Sequence, residues 1–182
     1  MRASNGITLI ELLVAMAVLA VVAALGAPAM QGFVRTSQLR GATNEVAYLL
    51  AYARSEAIKR GHPVTVCKAL DVAAEAPECT TNAANSWQGG WMAFVDFNED
   101  GIPNTQGTRS DVRLRVGQVN YAGLQIDPGT NFRDFVRYLP MGGSQGSGGQ
   151  AGGLFTICNH GKGRRIDIGN TGHTTVKELA TC

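Results

Sequence analysis

Apolar positions run from Leu12 to Met30 without a single charged residue, and roughly 20 such residues are enough to cross the hydrocarbon core of a bilayer. One acid, Glu11, stands at the start of this stretch, five residues after Gly6. Beyond Met30 the apolar positions thin to Leu39, Ala42, Val46, Leu49, Ala53 and Ala57, the three- and four-residue spacing of a helix with one buried face. Arg35, Arg40, Glu45, Arg54, Glu56 and Lys59 fall mostly on the other face. Lys59 and Arg60 make a basic last turn, and Gly61 and Pro63 supply the stop. The pattern predicts one helix from about Ile7 to Arg60, on the order of 80 Å long at about 1.5 Å per residue, bent or loosened at Gly26 and Pro28.

After Pro63 the period shifts towards two. Strands are predicted at Val64 to Lys68, Trp91 to Phe97, Val112 to Val119, Phe135 to Leu139, Leu154 to Cys158 and Arg165 to Ile168. The run MGGSQGSGGQAGG, Met141 to Gly153, has the composition of a flexible loop. A long helix followed by short strands implies an α+β chain in which the helix covers one face of an antiparallel sheet.

Length and charge narrow the picture only slightly. The 182 residues leave about one soluble domain beyond the apolar segment, and a net charge of +2 does not by itself point to nucleic acid. Four cysteines, Cys67, Cys79, Cys158 and Cys182, all lie beyond that segment, as suits a domain in an oxidising compartment. Of three connectivities, nearest-neighbour pairing joins Cys67 to Cys79 and Cys158 to Cys182. No pair has the CxxC spacing of a zinc site.

The apolar segment is longer than the 7–15 or so residues of a signal-peptide core. A plain anchor would leave Glu11 without a purpose, because a lone carboxylate in lipid is costly and calls for a partner. These residues resemble the class III signal of type IV pilins and pseudopilins: a short polar leader, here MRASNG, then glycine, then an apolar helix with glutamate at its fifth position. The family usually has phenylalanine where this chain has Ile7, and a leader more basic than one holding only Arg2. The resemblance implies cleavage between Gly6 and Ile7 by a prepilin peptidase and methylation of the new amino group. It also implies a contact of Glu11 with the amino group of a neighbouring subunit, which would set the register of assembly.

Further along, AYARSEAIKRGHPVTVC, WQGGWMAFVDFNEDG and the following DVRLR are similar to the GspH/FimT family of minor pilins and pseudopilins. The implied organisation is a leader over residues 1–6, a transmembrane half-helix over 7–30, an amphipathic half-helix over 31–61, and a periplasmic β-rich domain over 62–182. Such a chain would sit in the bacterial inner membrane as a single-pass protein and then enter a pilus or pseudopilus. Its partners would be major and minor pilins, met through the N-terminal helices, with the prepilin peptidase and the inner-membrane assembly platform. Two bridges suit the FimT- and FimU-like branch better than the H-type pseudopilin of type II secretion, which is the alternative.

Two clusters raise further chemistry. Asp96, Asn98, Asp100 and Gly101 form DFNEDG, with the alternating oxygens and glycine turn of a calcium loop, but Asn104 and Gly107 occupy the ninth and twelfth positions. A hairpin turn uses the same residues and is the favoured reading, and no cofactor is expected. Lys162, Arg164 and Arg165, with Lys177 nearby, are the densest cationic cluster. By resemblance, DNA-binding members used in transformation carry a Gly-Arg-x-Arg motif where this chain reads Gly172, His173, Thr174, Thr175, so DNA is an alternative partner and an ordinary strand edge the favoured reading. His62, His160 and His173 are scattered, Trp87 and Trp91 suit core positions, and nothing argues for an enzyme.

Overall fold

The computed structural model describes residues 8–104 and 109–182, with no account of the side chains of residues 27–29. Two compact units divide the chain, Met1–Ser37 and Gln38–Cys182. A single helix, α1 (Leu9–Arg60), contributes to both. In the first unit its apolar side chains are uncovered, from Leu9 through Leu25 to Phe33. α1 runs on through Gly26 and Pro28. It ends where Gly61 adopts a left-handed φ of 66° and its N–H donates to the Ala57 carbonyl at 3.0 Å.

The second unit carries nine strands: β1 (Val64–Lys68), β2 (Trp91–Val95), β3 (Val112–Gly117), β4 (Leu124–Asp127), β5 (Phe135–Tyr138), β6 (Ser144–Gly146), β7 (Gly153–Asn159), β8 (Lys162–Ile168) and β9 (Thr174–Leu179). They form two antiparallel sheets, ordered β3-β2-β1-β5-β6 and β4-β7-β8-β9. The core joins the inner faces of both sheets to one stripe of α1, where Leu39, Ala42, Val46, Leu49, Leu50, Ala53 and Ala57 are buried. Three alanines of that stripe, Ala42, Ala53 and Ala57, are fully buried. Aromatic packing fills the second sheet's side, with Trp87 edge-on to Phe155 at 5.0 Å and Phe132 stacked on Phe155 at 5.6 Å.

Three strands escape the periodicity reading. β4 alternates buried and exposed positions but is only four residues long, β9 has weak alternation, and β6 lies within the glycine-rich run that composition marks as a flexible loop. That run is instead tied into the fold. Asn131 donates through Nδ2 to the carbonyls of Gln150 and Gly152, and its own carbonyl accepts from Gly148 N–H at 3.0 Å. Glycine is required here for close approach: a Cβ on Gly153 would lie 2.5 Å from the Phe132 ring. β1 and β2 are buried at every position rather than at alternate ones. Their outer face holds a second small cluster, Cys67, Ala69, Met92 and Phe94, packed with Val72, Cys79, Val116 and Phe135. Arg54 pins α1 to the loops, donating to the carbonyls of Gly142 at 3.0 Å and Thr171 at 3.1 Å.

Candidate functional site

Glu11 has a partner within its own chain. The N–H and hydroxyl of Thr8 donate to Glu11 Oε2 at 2.9 and 2.8 Å, and Glu11 N–H points back to Thr8 Oγ1 at 3.4 Å. This reciprocal arrangement is a capping box, which satisfies donors at the first turn of α1. The signal was legible as Thr-x-x-Glu ahead of an apolar run. Gly6 and Ile7, the expected cleavage and methylation positions, lie outside the described residues.

The DFNEDG loop does not gather oxygen ligands. Asp96 turns inward and is fully buried, its Oδ2 accepting from Thr65 Oγ1 at 2.7 Å, Gly101 N–H at 3.1 Å and Arg137 Nη2 at 3.1 Å. The Asn98 and Asn104 amides donate to Asp100 Oδ2 at 2.8 and 2.9 Å. Against partial burial, the Ile102 N–H and these two amides hold the Asp100 carboxyl below its ordinary range. Asp111 accepts from the N–H groups of Phe97 and Asn104, both at 2.9 Å. The carboxylates around Asp96, Asn98 and Asp100 therefore close a turn between β2 and β3. Among the described residues no cluster of three or more His, Cys, Asp or Glu could hold a metal, and Gly107 lies outside them.

The cationic cluster is divided by strand geometry. Side chains alternate across a sheet, so Lys162 and Arg164 share the face of the buried Ile166, while Arg165 and Asp167 occupy the opposite face. Arg164 pairs with Glu178 at 3.1 Å. On the other face Asp167 pairs with both Arg165 and Lys177 at 2.8 Å. The hydrogen bond from Lys177, opposed by some burial and joined by Arg165, draws the Asp167 carboxyl below its usual range. The four cations Lys162, Arg164, Arg165 and Lys177 thus lie on two faces of the sheet and not in one footprint.

The cysteines are joined as Cys67–Cys79 and Cys158–Cys182, with Cα atoms 5.7 and 5.8 Å apart. Such bridges stabilise a small domain by about 2–4 kcal/mol each. The first closes the segment that roofs the outer cluster of Met92 and Phe94. The second fastens the segment after β9 to β7. Trp87 is buried and donates through Nε1 to the Arg133 carbonyl at 3.1 Å, and His62 lies edge-on to Phe97 at 4.8 Å. Lys68 and Asp134, buried 3.2 Å apart, form a pair that no local pattern signals, because the partners come from β1 and a distant loop.

An uncovered apolar half-helix with a capped acid at its start, on a chain whose amphipathic half-helix is sealed against antiparallel sheets, defines a pilin-like subunit. The chain belongs to the family described as type II transport protein GspH, whose profile matches residues 42–172. Residues 1–27 match the prokaryotic N-terminal methylation motif. Pilins and pseudopilins of this kind are structural proteins that need no enzyme activity or cofactor. The chain is a membrane-anchored subunit of a type IV pilus or pseudopilus and assembles with other pilins in a filament.

Among solved structures the chain is similar to the type IV minor pilin FimU of Pseudomonas aeruginosa in two crystal forms. The first match is 19% identical over 82% of this chain and 98% of FimU, with a TM-score of 0.55. The second is 18% identical over 79% and 99%, with a TM-score of 0.51. None of the curated proteins compared with the chain matches it.

Proposed function

We propose that this chain is a minor pilin that primes or adapts assembly of a type IV pilus, processed between Gly6 and Ile7 by a prepilin peptidase and passed to the filament by the inner-membrane platform. The observation that carries the reading is the uncovered apolar face of α1 from Leu9 to Phe33, which needs lipid before assembly and neighbouring helices afterwards. Two bridges in the ectodomain and the likeness to FimU favour a pilus over a secretion pseudopilus. In this reading Glu11 leaves its Thr8 cap to meet the amino group of a neighbour, Gly26 and Pro28 let the half-helix bend as it packs, and residues 62–182 face the periplasm until export.

Deletion of the gene should lower surface piliation, and the unsubstituted chain should restore it. Glu11→Ala should still be cleaved and inserted but restore roughly a tenth of the filament-associated chain or less, as loss of one buried charge pair of a few kcal/mol implies. Full restoration by Glu11→Ala would sink the assembly role of that residue.

A further inference from the structure

Each sheet of the second unit ends in two edge strands, β3 and β6 in one, β4 and β9 in the other. Open edges pair readily with foreign strands, so folded proteins protect them. Three of these four are protected. β3 is bulged, its register with β2 slipping between Ala93 and Phe94. β4 is capped by a side chain, since Ile126 N–H donates to Gln88 Oε1 at 3.2 Å. β6 is three residues long, and the N–H groups of Ser144 and Gly146 donate to Asn170 and Gln150 carbonyls.

β9 has none of these devices. Its six residues keep unbroken register with β8, contain no proline or glycine, and are exposed from Thr175 to Glu178. Among the described residues no backbone hydrogen bond reaches Thr174–Leu179 from outside β8. Lys177, the charge that would otherwise discourage pairing, is held by Asp167 at 2.8 Å, and Glu178 is held by Arg164 at 3.1 Å.

We propose that β9 receives an edge strand from a different pilin-like subunit and extends the β4-β7-β8-β9 sheet by one strand across the subunit boundary. This rests on the filament reading above. The charges of β9 are paired within its own sheet, and Thr175 and Val176 are its exposed uncharged positions, so the fitting strand is uncharged and rich in threonine, valine or isoleucine. Two copies joined β9 to β9 would make a closed two-fold pair, whereas a filament needs unlike surfaces to meet. The occupant is therefore a strand of another subunit and not the β9 of a second copy.

The test places a photo-cross-linking residue at Val176 in the full-length chain expressed in piliated cells, with the same residue at Val112 on β3 as the control. Val176 and Val112 are 42% and 45% exposed, so reactivity differences do not come from access alone. The expected result is an adduct between position 176 and another pilin-like subunit, roughly tenfold above that from position 112, the ratio of about 1.4 kcal/mol in contact preference. No adduct from position 176, or an adduct only with a second copy, in filaments that contain the chain would overturn the edge while leaving filament assembly standing. Val176→Lys should lower incorporation by about the same factor with the melting temperature of the ectodomain unchanged; normal incorporation of that variant overturns the proposal. Absence of even the unsubstituted chain from filaments would overturn both readings.

Discussion

Asp96 shows how far one residue's meaning depends on a distant partner. In sequence it begins a loop of turn-forming and metal-ligating types, and the hairpin between β2 and β3 is legible from Asn98, Asp100 and Gly101 alone. Its inward rotation is not, because Arg137 lies 41 residues away and becomes a neighbour only when β5 pairs with β1. A charge this deep is tolerated only while paired. Removing one partner strands the other, at a cost of about 3–5 kcal/mol. Asp96→Ala or Arg137→Ala should therefore lower the unfolding free energy of the oxidised ectodomain, measured by denaturant titration, by that amount, far more than Asp71→Ala on the exposed loop. Equal effects at all three positions would contradict the buried pair. Glu11 is the opposite case, for its cap on Thr8 is local and could be read from four consecutive residues.

At the scale of elements, α1 was legible almost to the residue, since the change from a continuous apolar run to a one-faced stripe and the Gly61 stop are all local signals. The two-sheet division was not, because β1 and β2 are buried on both faces and read as apolar runs, and β9 carries exposed side chains on both. The glycine-rich segment misleads for a related reason: glycines that let Asn131 and Phe132 approach the backbone have the same composition as glycines in a linker. The β8–β9 pair also explains why a basic run in sequence is no basic patch in space, as alternation sends its cations to opposite faces and Asp167 and Glu178 meet three of them. Because the Asp167 carboxyl is held below the ordinary aspartate value of 3.8 by Lys177 first and Arg165 next, the unfolded chain takes up its proton before the folded one does. Its stabilising contribution is complete above that ordinary value and disappears as pH falls through the lower folded value. Urea titrations through the acid range should show a shallower loss of stability for Asp167→Asn than for the unsubstituted ectodomain. An identical pH slope in both would mean that the pairing contributes nothing to folding.

The whole molecule divides its tasks between a segment whose side chains are uncovered and a domain that seals its own core. Apolar residues from Leu9 to Phe33 gain nothing from folding alone, so lipid and then other helices must cover them, and this is the physical content of a pilin. The ectodomain, stapled by two bridges, can ride into a filament without depending on that segment for its core. The most direct test of this account is mass spectrometry of filaments sheared from cells that produce the chain, compared with the inner-membrane fraction. The account predicts a mature chain beginning at N-methylated Ile7 in the filaments, with both disulfides intact. A chain retained wholly in the inner membrane, or one in filaments that still carries residues 1–6, would contradict it.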